Sequence, residues 1–238
     1  MAKIILFKNN KGGVGKSLLC FWSAHILSTL SKTSDDKKNK VLILTSDSQN
    51  NIMQMAGAKL GYGDGLQGYI DDRGSDLIRL RENLFYIPLT STGIKRTFET
   101  RFLDVIEVFK KQYDYILIDG SPVLKLDNIF LEVSDKVVIP TFLDNITTKG
   151  MVNLINEIGV DKVALIVPNR VGRSKMEYEH LNKIKTSLEG IGAVITDPIY
   201  QTTKIMKLTE KSKTIMETKS KQYDDIKQIF KKIVREVM

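Results

Sequence analysis

Asn9-Asn10-Lys11-Gly12-Gly13-Val14-Gly15-Lys16-Ser17 is the stretch on which the reading of this chain turns. The apolar run Lys3-Ile4-Ile5-Leu6-Phe7 leads into it, and a helical pattern over residues 16–30 leads out. Strand, glycine-rich turn and helix in that order are what a phosphate loop requires. Glycines let the backbone turn tightly, so that successive N–H groups point at one centre. The helix that follows adds its positive N-terminus. Lys16 can reach β- and γ-phosphate oxygens, and the Ser17 hydroxyl can coordinate Mg²⁺. A mere glycine-rich turn with solvated lysines would not run Gly15-Lys16-Ser17 straight into an apolar helix. The loop departs from G-x-x-x-x-G-K-S at one place, since Asn10 stands where the first glycine belongs.

Outward from the loop, short apolar runs alternate with longer amphipathic stretches, the rhythm of a parallel sheet with crossover helices. Strands are expected at 3–7, 41–45, 84–87, 115–119, 136–140, 163–167 and 193–195, and helices at 16–30, 98–111, 149–158, 177–188 and 224–237. Tyr115-Ile116-Leu117-Ile118 is apolar on successive residues, as strands covered on both faces are. Residues 31–40 read as an exposed polar loop, and the glycines at 57, 61, 63, 65, 68 and 74 as a flexible region. No repeat or linker divides the chain. The expected fold is α/β: one P-loop domain over residues 1–238, with a mostly parallel twisted sheet and helices on both faces.

Two more segments deliver carboxylates. Val41-Leu42-Ile43-Leu44-Thr45-Ser46-Asp47-Ser48-Gln49-Asn50-Asn51 places Asp47 just beyond a strand tip, where it could position water or cap the next helix. Tyr113-Asp114-Tyr115-Ile116-Leu117-Ile118-Asp119-Gly120-Ser121-Pro122 ends a buried strand in Asp119. Together with Lys11-Gly12-Gly13-Val14-Gly15-Lys16-Ser17, these motifs resemble the deviant Walker A ATPases of the ParA/MinD superfamily, and short, Soj-like ParA proteins most of all. The resemblance continues through Ser134-Asp135-Lys136-Val137-Val138-Ile139-Pro140, Val167-Pro168-Asn169-Arg170, Asp197-Pro198-Ile199-Tyr200 and Lys213-Thr214-Ile215-Met216-Glu217.

The resemblance implies a weak Mg²⁺-dependent ATPase that closes into a sandwich homodimer with ATP. Lys11 would contact the partner's nucleotide across the interface, Lys16 would bind phosphate, and Asp47 would orient the attacking water. Gly12, Gly13, Val14, Gly15, Ser17 and Leu18 would complete the phosphate site. Ser17, Asp47 and Asp119 would hold Mg²⁺, the aspartates through water. Asn169 falls at the adenine-contacting position, though it could equally end a strand. Thr45 and Ser48 replace the family's first aspartate and its proline, which bears on hydrolysis more than on binding. A nucleotide-gated switch with little turnover is therefore a second reading.

Charge and composition choose among partners. The net charge of +8 and pI near 9.3 favour polyanions. From 201 to 238 there are ten basic and five acidic residues, and Arg170, Arg173 and Lys175 add a second cluster. Arg170, Arg173, Lys175, Lys204, Lys207 and Lys211 are the candidate contacts to nonspecific DNA. A ParB-like site-specific adaptor is the partner that the family implies. The MinD-type alternative would anchor to membrane through an amphipathic helix. The apolar face of 224–237 (Ile226, Ile229, Phe230, Ile233, Val234 and Val237) reads instead as core packing. No apolar run approaches the ~18 residues of a membrane span, and there is no signal-peptide pattern or N-terminal helix-turn-helix extension. Expectation is thus a cytoplasmic protein, nucleoid-associated when bound to ATP, with no membrane contact. The single cysteine, Cys20, excludes relatives that need cysteine pairs, and His25 and His180 lack metal-ligand spacing.

Overall fold

Every residue of Val41–Thr45 is buried, so both faces of this strand must be covered. The computed structural model, which describes residues 1–31, 36–59, 63–73, 76–90, 98–121, 124–189 and 192–238, shows what covers them. Among the described residues the strands are β1 Lys3–Phe7, β2 Val41–Thr45, β3 Ile78–Arg81, β4 Leu84–Tyr86, β5 Tyr115–Asp119, β6 Lys136–Thr141, β7 Val163–Val171, β8 Val194–Ile195 and β9 Ile199–Tyr200. The helices are α1 Lys16–Thr29, α2 Asn51–Ala56, α3 Gly65–Ile70, α4 Phe98–Gln112, α5 Leu124–Val133, α6 Asn145–Ile158, α7 Lys175–Leu188, α8 Thr203–Glu210 and α9 Asp224–Val237.

The sheet order is β3-β4-β2-β5-β1-β6-β7-β8, with β9 paired to β7. Among the described strands only the β3–β4 pair is antiparallel. The order reverses around β1, which has β5 on one side and β6 on the other. That is the switch point at which open α/β sheets bind ligands, beyond the carboxyl ends of the strands. Register brings three such ends level, because Asp119 pairs with Phe7 on one side and Thr45 on the other.

Alternation along the strands feeds two cores. Ile4, Leu6, Leu42, Leu44, Ile116 and Ile118 pack with Phe102 of α4, Phe130 of α5 and Met151 of α6. Ile5, Phe7, Ile43 and Leu117 pack on the other face with α1 and α9. There Phe230 and Ile233 are fully buried, and the Phe230 ring lies 5.2 Å from that of Trp22. The apolar face of α9 is therefore covered by α1. Cys20 is buried in the same core, and His25 Nδ1 shares a 2.6 Å hydrogen bond with Thr214 Oγ1. Among the described residues no helix is long and apolar enough to cross a membrane.

The structure corrects several sequence expectations. α2, α3, α5 and α8, and strands β3 and β9, were not anticipated; α2 and α3 have six residues each, too few for a period to show. Part of the glycine-rich region is thus helical; Gly61 and Gly74 lie outside the described residues, as does Pro122. α6 begins at Asn145 rather than 149, because Asp144 caps it by accepting from Thr147 N. α7 begins at Lys175 behind a capping box of Ser174 and Glu177. β7 runs on to Val171, because its end pairs with β9. In the expected loop 31–40, Lys38 is exposed, but Asn39 is buried and donates to Leu27 O; residues 32–35 lie outside the description.

Phe230→Ala should cost about 3–5 kcal/mol, the usual range for emptying a buried aromatic site. Thermal unfolding should show a clear drop in midpoint, while Lys231→Ala on the exposed face should stay within about 0.5 kcal/mol of the parent.

Candidate phosphate-binding site

β1 hands the chain to the loop through two buried polar residues, Lys8 and Asn9. Asn9 Nδ2 donates to Pro140 O on β6 at 2.6 Å, while Asn9 Oδ1 accepts from Lys11 N at 2.9 Å. The start of the loop is thereby stapled to the neighbouring strand. Gly13 and Gly15 lie at φ +76° and +99°, a region that side chains disfavour. A Cβ on Gly15 would also clash with Asn169 Nδ2. That Nδ2 donates to Val14 O at 2.7 Å. Asn169 thus props the loop from β7, a role the sequence reading did not foresee.

Lys16 is buried, and Nζ donates to Lys11 O at 3.0 Å across the loop. Burial pulls its ammonium down from the ordinary lysine range, against the attraction of Asp119, Asp127 and Asp47. Asp119 is 2% exposed, and burial pushes its carboxyl up to about 7, opposed by a hydrogen bond with Ser17 and by Lys16. Its Oδ1 has no hydrogen-bond partner among the described residues. A buried oxygen left in that condition, beside a serine hydroxyl at a phosphate loop, fits a divalent cation taken up directly or through water.

Asp47 is half-buried. Its Oδ1 accepts from Gln49 N and its Oδ2 from Asn51 Nδ2, both at 2.9 Å. The N-cap position of α2 falls to Asn50, at φ +48°, so Asp47 braces the preceding turn rather than capping the helix. Tyr86 OH and Leu89 N both donate to Asn50 Oδ1. Thr45, at the position of the missing aspartate, accepts from Asp47 N at 2.9 Å. Lys11 is exposed at the loop surface, and its charge reaches Asp144.

The loop opens onto two adjoining hollows. One, of about 600 Å³, is bordered by Gly12, Lys16, Ser17, Asp47, Ser121 and Arg170. The other, of about 400 Å³, is bordered by Gly15, Leu18, Asn169, Arg170, Thr202 and Met206. Together they can take a polyphosphate and an attached planar group. The sequence reading missed Lys8, Ser46 and Asp127. Lys8 Nζ lies 2.6 Å from Asp127 Oδ2, Ser46 Oγ donates to Asp127 Oδ1 at 3.0 Å, and Ser121 N donates to Ser46 Oγ at 2.6 Å. A carboxylate between Leu126 and the buried pair Ile129 and Phe130 was the available signal.

The six basic candidates do not share one surface role. Arg170, at φ +53°, borders both hollows. Arg173 stacks over Tyr200 at 5.4 Å, and Lys175 is exposed at the start of α7. Lys204 Nζ donates to Gln222 O at 2.6 Å and so ties two parts of the chain together. Lys207 and Lys211 stand with Lys213 around a hollow of about 300 Å³. The resembling segments at Asp114 and Asp135 have structural work, since these carboxylates accept from Lys40 N and Ile4 N, both at 2.7 Å, at the entries to β2 and β1.

A mostly parallel sheet reversing at β1, with a phosphate loop at that reversal and carboxylates at the ends of β5 and β2, defines a P-loop α/β protein. A family model described as an AAA domain matches residues 69–165. Sporulation initiation inhibitor protein Soj of Bacillus subtilis (strain 168) is 32% identical over 176 residues, covering 66% of this chain and 65% of Soj. The chain spans a little under two thirds of the curated relatives it matches, 63% to 65% of those first in rank. Apo McdA of Cyanothece superposes with TM-score 0.80 at 17% identity, covering 100% of this chain and 99% of McdA. A Borrelia burgdorferi B31 protein described as a candidate plasmid partition protein, bound to AMPPNP, superposes with TM-score 0.75 at 22% identity, covering 98% and 100%. The motifs, the fold and the likeness to Soj support a protein of the ParA/MinD superfamily.

Gly15→Ala should lose about 1–2 kcal/mol to the left-handed backbone alone, and more to the overlap with Asn169. Gly12→Ala meets open space and should be near neutral. Urea unfolding of the two variants checks the contrast, and equal stabilities would contradict this geometry.

Proposed function

We propose that this chain is a ParA-type ATPase that binds ATP with Mg²⁺, dimerises around it and holds nonspecific DNA until slow hydrolysis releases the dimer. The observation that carries the reading is the convergence of Lys16, Ser17 and Asp47 on one hollow at the reversal of the sheet, with Asp119 buried behind it and hydrogen-bonded to Ser17. Lys16 would meet the β- and γ-phosphates, with the backbone N–H groups of residues 12–17 supplying the rest of the cradle. Ser17 and Asp119 would hold the Mg²⁺, Asp47 joining them through water. A cation held there would neutralise charge on the phosphate oxygens.

Asp47 would orient the water, and both its oxygens are already engaged by its own turn. That bracing favours slow turnover, in keeping with Thr45 and Ser48 at the altered positions. The exposure of Lys11 suits a residue acting in trans on a partner's phosphate, where an added cation stabilises developing charge. The AMPPNP bound to the Borrelia protein supports nucleotide as the ligand, and that protein's description supports partition as the role. The net charge of +8 and the lysines in and just after α8 support a polyanionic partner, to which Lys204 contributes less than Lys207 and Lys211. A ParB-like adaptor would accelerate hydrolysis. The membrane alternative is disfavoured, because the apolar face of α9 is covered by α1.

Lys16→Ala should weaken ATP binding on the order of 100-fold, as loss of a charge-assisted phosphate contact does. Lys11→Ala should keep nucleotide affinity and lose ATP-driven dimerisation. Titration with a fluorescent ATP analogue and light scattering read the two effects, and a Lys11→Ala protein that dimerises normally would rule out action in trans.

DNA binding should require ATP, show little sequence preference and fall at least ~10³-fold between ~50 and ~200 mM salt if ~6 phosphates are contacted. Lys207→Glu with Lys211→Glu should weaken it without changing ATP affinity. Co-sedimentation of the ATP-bound protein with anionic liposomes but not with DNA would overturn the partition reading.

A further inference from the structure

Behind the phosphate hollow lies a buried polar network that neither phosphate nor cation binding requires. Its centre is Asp127 on α5, 1% exposed. Each of its oxygens has a separate partner: Oδ2 lies against Lys8 Nζ at 2.6 Å, and Oδ1 accepts from Ser46 Oγ at 3.0 Å. Ser46 passes the constraint on, accepting from Ser121 N at 2.6 Å. The three segments so joined are the exit of β1 into the phosphate loop, the turn carrying Asp47, and the loop after Asp119.

The direction of each bond matters. A serine hydroxyl has one proton. Asp127 takes it, so Ser46 Oγ can meet Ser121 N–H only with a lone pair. An ionised carboxylate cannot donate, and this polarity is therefore fixed. Burial pushes the Asp127 carboxyl up, and the Lys8 ammonium and the Ser46 hydroxyl draw it back toward that acceptor form. An ion pair with side chains 8% and 2% exposed gains little stability over well-packed apolar residues, because desolvation offsets the attraction. What it supplies is a fixed geometry.

We propose that Asp127 is a positioning residue: through Ser46 and Lys8 it locks the Asp47 turn and the Ser121 loop to the end of β1, and so sets the reactive geometry of the phosphate hollow rather than its affinity. The effect on turnover rests on the ATPase reading above; the locking itself does not. Two substitutions probe it. Asp127→Asn is isosteric but can donate to Ser46, which reverses the hydroxyl and leaves Lys8 without an anion. Ser46→Ala keeps the Lys8–Asp127 pair intact and removes only the relay.

Amide hydrogen exchange on the nucleotide-free protein reads the lock directly. In both variants the Ser121 amide should exchange ~10-fold faster or more, and the amides of Asp47 to Gln49 should follow, with β1 and β5 unchanged. ATP hydrolysis should fall about 10-fold or more at saturating ATP, with analogue affinity within ~3-fold, because misplaced groups lose rate before binding. Unaltered exchange at Ser121 in Ser46→Ala would overturn the proposal, and so would a loss of affinity at unchanged turnover. If Asp127→Asn fails to fold, Ser46→Ala decides alone. Should the parent protein hydrolyse no ATP, the ATPase reading fails and the exchange experiment still tests the lock.

Discussion

The level register of β2, β5 and β1 is the constraint on which the site depends. Asp119 sits opposite both Phe7 and Thr45, so the phosphate loop, the Asp47 turn and the Asp119 carboxylate leave the sheet at one height. A register slip in any of these strands would turn its side chains to the opposite face and part the groups. Burial on both faces of β1, β2 and β5 makes such a slip costly. The hydrophobic pattern that folds the sheet therefore also assembles the chemistry.

The sheet alone would leave the loops free, and the polar contacts around them are unusually long in sequence. Asn9 reaches β6, Asn169 reaches the loop from β7, and Asp127 reaches both Lys8 and Ser46. Each fastens a segment that hydrophobic packing does not control. Buried polar groups satisfied in this way specify one arrangement among several of similar compactness.

Local features were legible in the sequence. Gly15-Lys16-Ser17 and the strand ending in Asp119 advertise themselves through contiguous residues, and the bounds of β1, β2, β5 and α9 follow from short periodic runs. The short helices α2 and α3 escaped, because six residues carry too little period. Asp114 and Asp135 match a family pattern for a structural reason, since their carboxylates close the entries of strands. Asn169 was found at its family position, but its bond to Val14 O spans 155 residues and leaves no mark on either segment. Lys8 and Asp127, 119 residues apart, escaped for the same reason.

Cys20 is the chain's single thiol, and it lies fully buried on α1, where burial pushes its ionisation well above the ordinary range. Thiolate, not thiol, reacts with electrophiles, so this side chain is chemically silent in the folded protein. A cysteine introduced on the surface would take up a maleimide dye alone, without prior removal of the native one. The same silence ends on unfolding, so uptake of reagent by the unaltered chain is a clock for opening of the helix that carries the phosphate loop.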